Sequence, residues 1–207
     1  MAISIPDRVV VFDYGEVISR SQSDDDKLAL TAAAGQPAEA FWPVYWRHRD
    51  QLDHGRVSIV DYWRRVAADL GAEWDFVTIQ QLWAIDFRSW ISVEPATVRI
   101  LEELRDGGTR MALLSNAGFD FGDPFRFAPF GTLFERVFVS AELGLLKPDA
   151  EVYRHIAREL EIELTRMVFI DNKAVNVDGA TALGVTGHVF TDAPGLREFL
   201  VSLSQER

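Results

Sequence analysis

The chain has 207 residues, 48% of them hydrophobic, a net charge of −11 and no cysteine. That length suits one domain, or a core with a modest insertion, and the apolar share is enough for a real core. The charge argues against nucleic acid and anionic membranes as partners, and the missing cysteine removes disulfides, thiol nucleophiles and thiolate metal sites.

The opening MAISIPDR lacks a basic region followed by a long apolar stretch, so no signal peptide is predicted. No apolar run approaches the roughly 18 residues of a membrane helix, and a cytoplasmic protein is the expectation. Arg8 to Ser19 reads RVVVFDYGEVIS. Its apolar run, Val9 to Phe12, predicts a strand buried on both faces that ends at Asp13, with Gly15 two residues on. A carboxylate at such a strand end is costly unless it is solvated, paired or bound to a metal. Taken alone, Asp13 reads better as a turn or capping residue.

A polar stretch, Ser19 to Asp26, then leads into a helix over Lys27 to Ala34, with Asp24 to Asp26 at its N-terminus and Gly35 past its end. Pro37 opens the next helix, which carries Phe41, Trp42, Tyr45 and Trp46, with Pro43 early in it or kinking it. Ser58 and Asp61 resemble a capping box ahead of Ile59, Tyr62, Trp63, Val66 and Leu70 at helical spacing. Ile79, Leu82, Trp83, Phe87 and Trp90 form one more helical pattern. No convincing strand interrupts this block. Residues 20–90 are therefore expected to be an all-helical insertion over the sheet edge, between core segments 1–19 and 91–207. All six tryptophans lie in it, most expected as its core and one or two as lining a cleft.

From Pro95 strands and helices alternate. A helix with Val98, Leu101 and Leu104 on one face closes at Gly107-Gly108, and the strand Met111 to Leu114 runs into Ser115-Asn116. Phe119 to Phe134 reads as a packed loop with a short helix. A strand over Val137 to Val139, Lys147-Pro148 and a helix over Asp149 to Leu160 follow. The strand Met167 to Ile170 then runs into Asp171-Asn172. A helix over Val175 to Leu183, a strand over His188 to Phe190 and a helix over Leu196 to Leu203 complete the pattern. Such alternation implies a parallel sheet with ligands beyond the carboxyl ends of its strands. Asp13, Ser115 and Asp171 would share one edge, with Lys147 nearby. Two carboxylates, a hydroxyl and an ammonium suit a divalent cation and an anionic substrate.

In this order, Asp13-Tyr14-Gly15-Glu16-Val17, Ser115-Asn116, Lys147-Pro148 and Asp171-Asn172 resemble the four motifs of the haloacid dehalogenase superfamily. The resemblance runs from about Arg8 to the last helix. It implies a Rossmann-like three-layer αβα core with a parallel sheet, a helical cap after the first strand, and a Mg²⁺-dependent phosphatase of a small phosphorylated metabolite. In that reading Asp13 is the nucleophile and forms an aspartyl-phosphate. Ser115 and Asn116 donate to phosphoryl oxygens, Lys147 neutralises charge, and the Gly15 loop and Asn116 meet the substrate. Asp13, the Gly15 carbonyl and Asp171 hold Mg²⁺ beside Asn172, which stands where relatives often carry a second Asp. Asn176 also stands near an often acidic position.

Gly15 is the larger departure, because most phosphatases of the family carry an acid/base Asp there. Such a group is worth ~10²–10⁴ in rate. FDYGEVI is nevertheless similar to the FDLGNVI-type loops of a bacterial branch that includes glucose-1-phosphate phosphatases. Glu16, His48 and His54 are the candidates left to move a proton. A second reading is a metal-independent 2-haloacid dehalogenase. Trp46-Arg47 and Gln51-Leu52 resemble its WR…QL stretch, which assigns Arg47 to the substrate, and Lys147 and Tyr153 match its spacing. Against it, Asp171 is acidic where those enzymes carry Ser. A third reading is a non-catalytic binding or regulatory protein on this fold.

Overall fold

The computed structural model describes residues 2–205. Its elements in order are β1 (Val9–Phe12), α1 (Asp24–Ala34), α2 (Ala38–Asp53), α3 (Ile59–Asp69), α4 (Phe76–Trp90), α5 (Pro95–Asp106), β2 (Arg110–Ser115), α6 (Gly122–Phe127), β3 (Arg136–Val139), α7 (Ser140–Leu143), α8 (Ala150–Glu159), β4 (Met167–Asp171), α9 (Ala174–Thr181), β5 (Thr186–Val189) and α10 (Ala193–Gln205).

The five strands are all parallel, in the order β3-β2-β1-β4-β5. β1 is central, and its four residues are almost wholly buried, as a strand covered on both faces requires. Successive side chains alternate between two cores. Val10, Phe12, Met111, Leu113, Val168 and Ile170 face α5 and α10. Val9, Val11, Ala112, Leu114, Met167 and Phe169 face α8 and α9. The α/β sandwich follows from this two-residue period.

Register positions the site. Phe12 pairs with Leu113 on one side and Ile170 on the other. Asp13 and Asp171 are next in line, and Ser115 stands one residue further along β2, beside Val139, so all three leave the same edge of the sheet.

Helices α1 to α4 have a core of their own, built on Leu30, Phe41, Tyr45, Trp63, Val66 and Leu82. Ser23, Ser58 and Asp75 cap α1, α3 and α4 by accepting from backbone N–H groups. The helical unit joins the sheet through a Ser19–Val93 bridge. Pro43 lies inside α2.

The stretch from Phe119 to Phe134 holds the expected short helix, α6, and more besides. It forms two 3₁₀ turns, Phe119–Phe121 and Pro129–Leu133, on either side of α6. Each piece is too short to show a helical apolar period, and Pro124 and Pro129 favour the first positions of such turns.

Candidate active site

Asp13 follows β1 and Asp171 ends β4, and both carboxylates meet the same ammonium. Lys147 Nζ donates to Asp13 Oδ1 at 2.6 Å, to Asp171 Oδ2 at 2.8 Å and to the Leu114 carbonyl at 3.0 Å. All three donor positions are thus used in a site where Asp171 is fully buried and Asp13 and Lys147 nearly so. Lys173 N and Asn176 Nδ2 also donate to Asp171, at 2.8 and 2.9 Å.

Two carboxylates against one ammonium leave a buried negative charge in surplus. Burial, partly offset by Lys147, pushes Asp13 up to about 6. Burial opposes the Lys147 ammonium, but Asp13 and Asp171 outweigh it and raise its pKa.

Asn116 was expected at the phosphoryl oxygens. Its amide is instead clipped onto Lys147, donating to the Lys147 carbonyl and accepting from its N–H, each at 3.0 Å. Asn116 thereby fixes where the ammonium stands. Ser115, the last residue of β2, lines the cleft with Gly15 and Asn172. Asn172 Nδ2 donates to Glu16 Oε2 at 2.9 Å, and Ser21 Oγ donates to the other Glu16 oxygen at 2.8 Å. Asn172 Oδ1 is a buried acceptor with no partner.

Glu16, not Gly15, occupies the left-handed region, at φ 58°. A non-glycine residue held there is a strained feature of the kind found at functional loops. Nothing lies within 4 Å of the position a Gly15 side chain would take.

The cleft measures about 390 Å³, at the small end for ligand sites. Its floor is Asp13, Ser115 and Lys147; Trp46, Trp90, Phe121 and Phe125 give it an aromatic wall. Tyr14 OH donates to the Trp90 carbonyl at 2.9 Å, and its ring lies against Phe125 and Phe130. Trp46 is about half exposed and meets Trp90 edge to face. Trp63 fills the helical core, with Trp42, Trp74 and Trp83 partly buried around it.

Arg47 does not line the cleft. Its exposed guanidinium bonds Asp69 at 2.9 Å, and His48 bonds the same carboxylate. His54 bonds Arg56, also away from the cleft. The neighbour two residues on, Arg49, is buried and lines the cleft. It donates to Asp53 at 3.1 Å and to Tyr45 OH and Asp86 at 2.8 Å. Tyr45 OH in turn donates to Asp86 at 2.6 Å. Burial, partly offset by Arg49, pushes Asp53 up to about 6. The Asp53 backbone is tied to the sheet side: Ser140 Oγ donates to its carbonyl and accepts from Ala117 N at 2.9 Å. Sequence reasoning missed this network. The only signal was the i,i+4 spacing of Arg49 and Asp53 and an acid, Asp86, inside the apolar run LWAIDF.

Comparison with known proteins gives the family. The sequence matches haloacid dehalogenase-like hydrolases over residues 8–184. A sesquiterpene phosphatase of Aspergillus oryzae is 25% identical over 148 residues, 70% of this chain and 72% of that protein. A phosphatase of Mycobacterium tuberculosis is 24% identical over 93% of this chain and 91% of its own. A drimenol cyclase of Aspergillus calidoustus is 29% identical over 88% of this chain, which spans only 34% of that longer protein. Among solved structures, a Bacteroides thetaiotaomicron enzyme of the family in complex with magnesium and inorganic phosphate has a TM-score of 0.72 at 18% identity, over 91% of this chain and 98% of its own. An L-2-haloacid dehalogenase has a TM-score of 0.73 at 18% identity, over 97% and 99%. Both likenesses concern the fold. Sequence match, parallel sheet and the placement of Asp13, Lys147 and Asp171 agree: the chain belongs to the haloacid dehalogenase-like hydrolases.

Proposed function

We propose that this hydrolase is a Mg²⁺-dependent phosphatase of a small phosphate ester, acting through Asp13, with residues 20–90 as a cap over core segments 1–19 and 91–207. The observation that carries the reading is the buried Asp13–Lys147–Asp171 triad. Its surplus negative charge and the orphaned Asn172 Oδ1 fit a divalent cation. Among the described residues no group of three or more His, Cys, Asp or Glu converges on one point. Two carboxylates nevertheless suit Mg²⁺, which takes one or two and keeps its waters. Asp13, Asp171, the Gly15 carbonyl and Asn172 would hold it, and it would screen the phosphoryl oxygens from the carboxylates.

The chain's own groups divide the remaining work. The Asp13 carboxylate attacks phosphorus and forms an aspartyl-phosphate that water hydrolyses. Ser115 donates to a phosphoryl oxygen, and Lys147 holds both carboxylates in place and offsets their charge. Asn116 and the Gly15 backbone shape the pocket. Two of the related proteins are phosphatases, one of them a sesquiterpene phosphatase. The wall of Trp46, Trp90, Phe121 and Phe125 suits an ester whose alcohol has an apolar face.

An acid at position 171 separates this reading from the dehalogenase one. The test is a panel of p-nitrophenyl phosphate, sugar phosphates, prenyl monophosphates and 2-chloropropionate, each with Mg²⁺ and with EDTA. Ester hydrolysis that EDTA abolishes is expected; metal-independent chloride release without ester hydrolysis would overturn the proposal.

A further inference from the structure

Cleaving an alkyl phosphate ester at neutral pH calls for a proton on the leaving alcohol and, later, a base for the attacking water. Gly15 supplies neither, so the titratable groups of the cleft decide where that proton resides. Asp13 is the nucleophile, and Lys147 has all its donor positions engaged. Glu16 is held by Ser21 and Asn172. Tyr14 is bonded to Trp90, and burial holds its hydroxyl far above neutrality. Lys173 and Asp50 are exposed on the rim. Asp53 remains. It is buried, its Oδ1 accepts from Arg49 Nε, and Oδ2 accepts no hydrogen bond among the described residues. Ser140 fixes its backbone to the sheet that carries Asp13.

We propose that Asp53, delivered by the helical unit, is the acid and base of the reaction. The assignment rests on the phosphatase reading above. In the first step Asp13 bonds to phosphorus, the bond from phosphorus to the alcohol oxygen breaks, and the Asp53 proton goes to that oxygen. In the second step the Asp53 carboxylate takes a proton from water as the water oxygen bonds to phosphorus. The bond from Asp13 to phosphorus then breaks, releasing phosphate and returning Asp53 to its protonated form. The charged and titratable groups facing Asp53 are Arg49 and Asp50 of its own helix, Asp86 of α4 and Tyr62 of α3. On the α7 side Glu142 is engaged by Arg126. Burial, the largest influence, keeps the carboxyl protonatable near pH 6 despite Arg49.

Asp53→Asn keeps an oxygen for Arg49 and removes the proton. It is compared with the wild type and Asp50→Asn on n-butyl phosphate and p-nitrophenyl phosphate in Mg²⁺. For Asp53→Asn, kcat/KM on the alkyl ester should fall by ~10²–10⁴. On the aryl ester, whose leaving group needs no proton, it should move less than about 10-fold, and a burst of about one p-nitrophenol per enzyme should appear as the second step slows. Equal losses on both esters, no loss on either, or the same split in Asp50→Asn would overturn the assignment. The wild type gives a second readout that needs no variant. The ratio of alkyl to aryl kcat/KM cancels the ionisation of Asp13, and it should fall about tenfold per unit as pH rises above the Asp53 pKa of about 6. A flat ratio overturns the assignment. A wild type without ester hydrolysis overturns the phosphatase reading itself, and this inference with it.

Discussion

Replacing Lys147 by Met tests the charge arrangement of the site most directly. Methionine keeps the length of the side chain and deletes the ammonium. Asp13 and Asp171 then face each other without a counter-charge, and the Leu114 carbonyl loses its donor. Breaking a buried pair by removing one partner costs about 3–5 kcal/mol. At about 2–4 °C per kcal/mol for a chain of this size, the melting temperature should drop by about 6–20 °C in EDTA near pH 7.5. The deficit should narrow near pH 5, because Asp13, whose pKa is raised to about 6, takes up a proton there and the repulsion is removed. Mg²⁺ should narrow it too, since a ligand that binds the folded state stabilises it. Thermal unfolding of wild type and variant under these three conditions is the assay. A Lys147→Met protein within about 2 °C of the wild type in EDTA near pH 7.5 would refute the reasoning, whatever its activity.

Asp13→Asn should lose ester hydrolysis and yet stay folded. Because Asp13 has a folded pKa of about 6 against 3.8, its contribution to stability is fullest below pH 4 and is lost as pH rises through 6. In EDTA the variant should therefore gain on the wild type between about pH 4.5 and 7.5; a variant that loses ground over that range contradicts the raised pKa. Gly15→Asp in the Asp53→Asn background should restore alkyl ester hydrolysis by at least about 10-fold, since the new side chain enters open space from an unstrained backbone; an inactive, folded double variant counts against a proton transfer from either position. Trp46→Ala should raise KM for esters of apolar alcohols more than for sugar phosphates, with little change in melting temperature because the ring is already about half exposed. Equal KM changes across the two ester classes would remove Trp46 from the alcohol side of the cleft.

The strand ends were legible in the sequence because a buried parallel strand announces itself as an apolar run. The polar residue that stops the run must lie at the carboxyl edge. Asp13, Ser115 and Asp171 were found this way, and in-register pairing of β1 with β2 and β4 gathers them. The helical unit was harder to read. Arg47 and Arg49 are two residues apart, about 200° around a helix, so only one can face inward, and α2 is aromatic on most sides. Periodicity alone could not choose between them. The structure turns Arg49 inward because Tyr45, Asp53 and Asp86 satisfy its guanidinium there. Asn116 shows a related limit: it lines the cleft, and a motif states which residue types gather, but the contacts show that its side-chain amide engages the lysine beside it.

The charge balance of the cleft links these residues. On the phosphatase reading proposed above, a phosphate ester would enter a chain of net charge −11 and approach two buried carboxylates. Lys147 cannot attract it, because its ammonium already faces Asp13, Asp171 and a carbonyl. Arg49, the other buried cation lining the cleft, is turned to Asp53, Asp86 and Tyr45. Positive charge for such an ester would therefore be left to exposed Lys173 on the rim and to the Mg²⁺ proposed for the carboxylates. The fixed cations hold carboxylates in place, Lys147 for Asp13 and Asp171 and Arg49 for Asp53 and Asp86. The two carboxyls raised to about 6, Asp13 and Asp53, line one cleft, each held by its own cation. On the proposed reading that pairing would give the sheet the attacking group and the helical unit the proton, so the chemistry would require the two units to be apposed.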